Sequence, residues 1–307
     1  MRQPLHLVDV FTRERYAGNQ LAVVTDASDL EDAEMQAFAT EIDFSETTHV
    51  ETDADAGPRD DGAWPVRIFT PEAEIPFAGH PTLGTAYVIR EYLANGRPDE
   101  VVLDLDVGEV LVEVRESADG VETLWMTQQP PAFGDELARD DLAAVLGLDT
   151  ADLAENYPVQ VVSTGLPTVV VTLADRDTLE RIDVDRAAYD AVTGERDAKN
   201  VLAFAPDPRD GANDFAVRVF APYYGVPEDP ATGSSNGCLA AYLVRHEYGG
   251  HAPGDHGQIT LDVRVEQGYE MDRPSLVHLR AETAEASDEI TVEVGGAVES
   301  VARGNLV

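Results

Sequence analysis

Val66-Arg67-Ile68-Phe69-Thr70-Pro71 recurs half a chain later as Val217-Arg218-Val219-Phe220-Ala221-Pro222, and this repeat decides the fold. Each copy reads as a strand broken by proline. Downstream of each comes a glycine-containing turn and then an apolar helix. The first helix contains Ala86-Tyr87-Val88-Ile89-Arg90, the second Ala241-Tyr242-Leu243-Val244-Arg245, and both run to a glycine stop, at Asn95-Gly96 and Gly249-Gly250. Upstream, Gly18-Asn19-Gln20-Leu21-Ala22-Val23-Val24 is echoed by Gly165-Leu166-Pro167-Thr168-Val169-Val170-Val171. A period of half the chain means a duplicated domain, not a solenoid.

Strand signals cover 6–11, 19–24, 66–69, 101–106 and 109–114 in the first half. In the second they cover 160–163, 168–173, 201–204, 215–220, 259–265, 276–280 and 290–294. The helices expected at 31–41 and 138–147 are much more polar than the two repeated ones. A helix that is apolar all round is usually buried. The expected fold is therefore α+β: two pseudo-symmetric domains, each a curved, mostly antiparallel sheet wrapped around a central helix. The join is expected in Gln128-Gln129-Pro130-Pro131-Ala132-Phe133-Gly134, too proline-rich to continue a sheet. That divides the chain into domains 1–128 and 129–307, with the last strand, about 288–307, a candidate to pack back on the first domain.

The 307 residues carry 59 Asp and Glu against 21 Lys and Arg, a formal net charge of −38, with 43% hydrophobic residues. That much apolar material belongs to a globular protein. So negative a field argues against nucleic acid and against anionic membrane surfaces as partners. Only Lys199 is lysine. Self-repulsion on this scale destabilises a compact state in dilute buffer, and molar salt, with a Debye length of about 3 Å, screens it. A halophile's cytosol is the expected setting. The single cysteine, Cys238, excludes an intrachain disulfide and a cysteine-rich zinc site, and no metal is expected. The N-terminal residues show no signal peptide, and no stretch approaches the roughly 18 apolar residues of a membrane span. A cytoplasmic location is expected. No dinucleotide fingerprint or Walker loop is present.

Two turns lead into helix starts with chemistry-bearing residues. They read Ile75-Pro76-Phe77-Ala78-Gly79-His80-Pro81-Thr82-Leu83-Gly84 and Glu228-Asp229-Pro230-Ala231-Thr232-Gly233-Ser234-Ser235-Asn236-Gly237. With pseudo-twofold packing, the two helix N-termini can converge on one cleft. Their open N–H groups and dipoles would favour a carboxylate. A third segment, Asp43-Phe44-Ser45-Glu46-Thr47-Thr48-His49-Val50, carries a glutamate between a helix and a strand. The second half has Lys199-Asn200-Val201 there instead. A carboxylate in one half only suggests a single acid/base. Each candidate also has a plainer reading: Glu46 as a cap or surface acid, His80 as a loop residue, Asp229 as a turn initiator, Ser234 as an N-cap.

The sequence resembles the PhzF-like family, named for the phenazine-biosynthesis isomerase, within the diaminopimelate epimerase-like fold. The motifs run through nearly the whole chain. They are Val8-Asp9-Val10-Phe11 with Gly18-Asn19; Ser45-Glu46-Thr47-Thr48; Arg67-Ile68-Phe69-Thr70-Pro71; Pro76 to Gly84; Asp229 to Ser234; and Gln267-Gly268 with Met271 and Arg273-Pro274-Ser275. The resemblance implies cofactor-independent isomerisation of a small carboxylate substrate in the cleft between domains, with no cofactor, and often a homodimer. It implies Glu46 as the proton-carrying acid/base and His80 and Asp229 beside it as catalytic residues. Gly79, Gly233, Ser234 and, more weakly, Asp9 would bind substrate. Where the racemase branches place two facing cysteines, this chain has Gly79-His80 and Gly233-Ser234, so two-cysteine racemisation is ruled out. Cys238 reads as core packing. One departure stands out: Asp272 precedes Arg273 where the family usually has glycine, which bears on Arg273 as a site residue.

Two other functions fit some of these residues. A hydrolase would use Ser234 as nucleophile and His80 as base, although the chain has no G-x-S-x-G elbow. A non-catalytic binding protein would keep the cleft without the chemistry.

Overall fold

A computed structural model describes residues 3–52, 57–116, 120–250, 258–283 and 289–307. The chain divides into two compact units, Met1–Met126 with Gly295–Val307, and Thr127–Val294.

In the first unit, β1 (Pro4–Val10) pairs antiparallel with β2 (Asn19–Val24). Helix α1 (Asp32–Ile42) leads to β3 (Thr47–Val50), parallel to β2. Strand β4 (Trp64–Phe69) lies antiparallel to β3 and to the short β5 (Glu74–Ile75). After α2 (Gly79–Val88) come β6 (Glu100–Leu105), parallel to the start of β4, then β7 (Gly108–Glu116) and β8 (Glu122–Thr127) in antiparallel succession. The strand Val298–Asn305 pairs antiparallel with the other side of β1.

Helix α2 packs against β1, β2, β3, β6, β7 and Val298–Asn305, so strands surround it. Of its ten residues only Tyr87 is not fully buried, as a helix without a polar face requires. Gly84 permits the close approach: a Cβ there would lie 2.5 Å from Leu21 Cδ2 and 2.9 Å from Val10 Cγ2. Strand β3 is buried on both faces. Thr48 turns inward and shares a 2.7 Å hydrogen bond with Thr85 of α2. His49 turns outward, edge-on to Phe38 of α1 and Phe69.

The second unit repeats this order. Strand β9 (Ala132–Leu137) and, after α3 (Arg139–Leu146), β10 (Val159–Ser163) are antiparallel, as is β11 (Thr168–Thr172) to β10. Helices α4 (Arg176–Glu180) and α5 (Arg186–Thr193) precede β12 (Asn200–Ala205), parallel to β11. Then come β13 (Phe215–Ala221), β14 (Val226–Asp229) and the central α6 (Gly233–Arg245). The unit continues through β15 (Thr260–Gln267), parallel to the start of β13, β16 (Ser275–Thr283) and β17 (Ile290–Gly296). Val298–Asn305 is β18. Val169 and Val171 of β11 pack outward with Leu142, Leu146 and Tyr189 of α3 and α5. On the opposite face Thr168 and Thr172 bond Ser235 and Tyr242 of α6. Both faces are covered, which is why β11 reads as an unbroken apolar run.

The repeated Val-Arg-x-Phe motif is a hairpin brace. Arg67 grips Glu74 of β5 through two hydrogen bonds of 2.7 and 2.8 Å, and Arg218 grips Glu228 of β14 through 2.8 and 2.7 Å. Each guanidinium also covers the phenylalanine two residues on, 5.2 Å from the Phe69 ring centroid and 4.9 Å from that of Phe220.

The structure corrects four details. Ala132–Leu137 is a strand, so the sheet is interrupted only over 128–131; Pro130 and Pro131 stand just before β9, where a missing N–H costs no ladder bond. Strand β1 ends at Val10 because Phe11 takes φ 63°. The first repeated helix leaves α geometry at Val88 and finishes as a π turn over Ile89–Leu93. The N-cap position of α6 is held by Thr232, not Ser234. Among the described residues, no helix is long and apolar enough to cross a membrane.

Candidate active site

Glu46 is placed by the elements on either side of it. Asp43 ends α1 in the left-handed conformation, φ 56°, with its N–H on Ala39 O, and β3 begins at Thr47. Strand alternation puts Glu46 on the face of Thr48, towards α2. There Oε2 lies 3.5 Å from His80 Nδ1, in the first turn of that helix. Oε2 is buried without a hydrogen-bond partner. Burial pushes the carboxyl up to about 7, with the Ser45 hydroxyl pulling weakly the other way. Ser45 Oγ also lies 3.4 Å from Asn19 Oδ1.

His80 is nearly fully buried, and its Nε2 lies 3.2 Å from the carbonyl of Gln20. A carbonyl only accepts, so Nε2 carries the hydrogen, and in the neutral ring Nδ1 faces Glu46 with a lone pair. A carboxylate and a neutral imidazole would then oppose lone pairs. A proton on Glu46 relieves this, in keeping with its raised pKa.

Asp9, at the end of β1, accepts a 2.6 Å hydrogen bond from the Tyr16 N–H. It thereby fastens the hairpin loop in which Phe11, Tyr16 and Gly18 all have positive φ. Its neighbour across the hairpin is Gln20, the residue that holds His80.

The second unit carries the remaining candidates. Asp229 ends β14, and Gly233 and Ser234 open α6. The turns superpose in sequence: Glu74 to His80 and Glu228 to Ser234 have the same spacing. No side chain caps either central helix. Ala78 cannot, and the Thr232 hydroxyl is turned to Asp229 Oδ2 instead. Both N-termini therefore lack the side-chain oxygen that normally answers their amides, which is the condition for holding an anion. Asn200 stands where Glu46 does, one residue before the residue that pairs with the motif phenylalanine, and its amide donates to Ser235 at 3.0 Å. The carboxyl group of the first unit has a hydrogen-bonding amide as its counterpart in the second.

Cys238 is fully buried in α6, and burial raises its thiol pKa. Asp272 adopts φ 55°, the left-handed conformation that glycine takes without strain and that aspartate tolerates better than most residues. The backbone conformation suited to glycine is thus kept, and the Arg273 N–H bonds Gly268 O at 3.0 Å. The sequence did not single out a role for three residues of the second unit: Thr232, Asn236 and Gln267 are joined by hydrogen bonds around Asp229. Gln267 stood out within a motif but without a role, and nothing in the sequence reveals which strand register brings it there.

A duplicated α+β unit wrapped around a central helix is an epimerase-like architecture, and here a carboxyl and an imidazole meet at one helix start. Residues 8–304 match the PhzC-PhzF family, described as phenazine biosynthesis-like protein, and the chain belongs to that family. It is 35% identical over 305 residues to trans-2,3-dihydro-3-hydroxyanthranilate isomerase of Pseudomonas fluorescens, covering 98% of each chain. The crystal structure of a PhzF-family phenazine biosynthesis protein from Bacillus anthracis matches with a TM-score of 0.89 and 26% identity, over 100% of this chain and 99% of that one. A hydroxyproline epimerase from Agrobacterium vitis shares the fold, with a TM-score of 0.59 and 12% identity over 99% of this chain and 92% of that one. The fold is close to the diaminopimelate epimerase-like one, and the protein is an isomerase.

Proposed function

We propose that this isomerase works without a cofactor and moves a proton between two carbons of a small carboxylate-bearing substrate, Glu46 being the carrier. The observation that carries the reading is the buried Glu46 Oε2, unpartnered and 3.5 Å from His80 Nδ1, on a carboxyl raised to about 7. A shuttle needs one group that is a fair base and then a fair acid, and such a group has its pKa near working pH. In the first step the C–H bond breaks, its electron pair enters the adjacent π-system, and Glu46 takes the proton. In the second the shifted electron pair takes that proton back at another carbon. Atoms and charge balance with no further reactant.

His80 sets the Glu46 carboxyl for the proton transfer, and Asp229 orients the substrate. The Gly79 and Gly233 amides, with the Ser234 hydroxyl, receive its carboxylate and the charge that develops. Asp9 serves the site through the loop it fastens. His80 supports this shuttle better than serine hydrolysis. With Nε2 on the Gln20 carbonyl and Nδ1 towards Glu46, the ring already has a use for both nitrogens.

The test is proton NMR in D₂O at molar KCl with trans-2,3-dihydro-3-hydroxyanthranilate as first probe, and diaminopimelate and proline beside it. Deuterium is expected at a C–H position with wild type. Glu46→Gln is expected to slow it by about 10²–10⁴-fold while leaving the fold intact. The wild-type rate should rise with pH through an apparent pKa of about 7, as Glu46 becomes the base. A Gln variant that exchanges at the wild-type rate overturns the proposal.

A further inference from the structure

We propose that Gln267 and Thr232 are positioning residues that set the carboxylate of Asp229. The inference rests on Asp229 serving the substrate, as proposed above.

Gln267 is 1% exposed. Its amide nitrogen donates to the main-chain oxygen of Asp229 at 2.7 Å and to Thr232 Oγ1 at 3.2 Å. Its amide oxygen accepts from the Thr232 N–H at 3.2 Å and from the Asn236 amide at 2.8 Å. The Thr232 hydroxyl spends its one hydrogen on Asp229 Oδ2. These bonds have one possible direction. Asn236 also donates to Thr232 O at 3.0 Å, and a carbonyl accepts only, which fixes the Asn236 amide. The carbonyl of Asp229 fixes that of Gln267 in the same way. The chain of donation therefore runs from Asn236 to Gln267, to Thr232, to Asp229 Oδ2, and both amide hydrogens of Gln267 are used. One carboxylate oxygen and the backbone of Asp229 are held together by a single buried side chain and its neighbour.

The other unit shows that the fold does not need this arrangement. The equal spacing of the two turns sets Ile75 against Asp229 and Ala78 against Thr232. The parallel pairings Trp64↔Leu103 and Phe215↔Val265 align the two forks, so Leu105 stands where Gln267 does. All three polar positions are apolar in the first unit, and its helix start forms nonetheless. A network present only in the half that carries Asp229 is explained by Asp229.

Gly268 completes the support. Its φ is +78°, and a Cβ there would lie 2.6 Å from Pro230 O and 2.4 Å from Arg273 O. Its backbone lies directly against the Asp229-Pro230 turn, and any side chain would push that turn away.

The experiment uses the full chain, with dihydro-hydroxyanthranilate exchange as readout. Thr232→Val should lower kcat/KM by about tenfold to a hundredfold, as a displaced binding group does. Thr232→Ser, which keeps the hydroxyl, should stay within about threefold of wild type, and Gln267→Met should resemble Thr232→Val. In an Asp229→Asn background Thr232→Val should cost nothing further, because its effect passes through that carboxylate. A merely structural role would lower the melting temperature and add its loss in either background. Undiminished activity of Thr232→Val beside an impaired Asp229→Asn, or an additive double variant, overturns the positioning role alone. A fully active Asp229→Asn removes Asp229 and this inference together, while Glu46→Gln in the same assay reports separately on the proton shuttle.

Discussion

Glu46 is held in a state that costs the fold stability. Its pKa of about 7, against an ordinary 4.5, means the folded chain binds this proton more tightly than the unfolded chain does. Between those values the folded state carries the extra proton, so stability falls as pH rises from about 4.5 to about 7 and stays reduced above. Glu46→Gln should therefore be the more stable protein at pH 8, by on the order of 3 kcal/mol. The difference should vanish below about pH 4.5, where both states hold the proton. Urea unfolding at fixed KCl across that range measures it, and a Gln variant equal to wild type at pH 8 would contradict the burial cost. Glu46 could be singled out in the sequence because its half differs from the other at that position. Thr232 and Gln267 could not. They are uncharged residues in a chain crowded with charge, and their meaning depends on strand register, which packing decides.

The two arginine braces make the same hairpin with different burial. Arg218 is almost fully buried and also donates to the carbonyls of Leu179 and Ile182, each at 3.1 Å. Arg67 is more open, and its partner Glu74 is largely solvent-accessible. Lysine cannot reproduce a two-pronged grip on a carboxylate. Arg218→Lys should cost about 3 kcal/mol, because it loosens a half-buried carboxylate and leaves two carbonyls without their donor. Arg67→Lys should cost about 1 kcal/mol or less. Denaturant melts of the two variants make the comparison, and equal losses would refute the burial argument. At this scale most strands and both central helices were legible, since period and apolarity are local properties, while β5, β8 and β14 were not. The π turn at Ile89–Leu93 and the strand after Pro131 were not. The first is a hydrogen-bond shift that leaves composition unchanged, and the second is a strand set by its partner β10.

A net charge of −38 acts on the whole molecule at once. Raising KCl from 0.1 to 2 M should raise the melting temperature by about 5–10 °C as the Debye length shrinks. A flat response would mean that self-repulsion contributes little. The duplication was the most legible property of the chain, because both copies keep the same arginine and phenylalanine in the same places. The route of the chain at its end was harder to read. Strand β18 lies along all of β1, with Pro4 opposite Asn305 and Val10 opposite Val298, and the whole second unit is synthesised between them. On the ribosome the second unit can therefore close its sheet while the first still waits for a strand. Until residues 298–305 emerge, β1 is an unprotected sheet edge open to pairing with another nascent chain. The half that is made first is completed last.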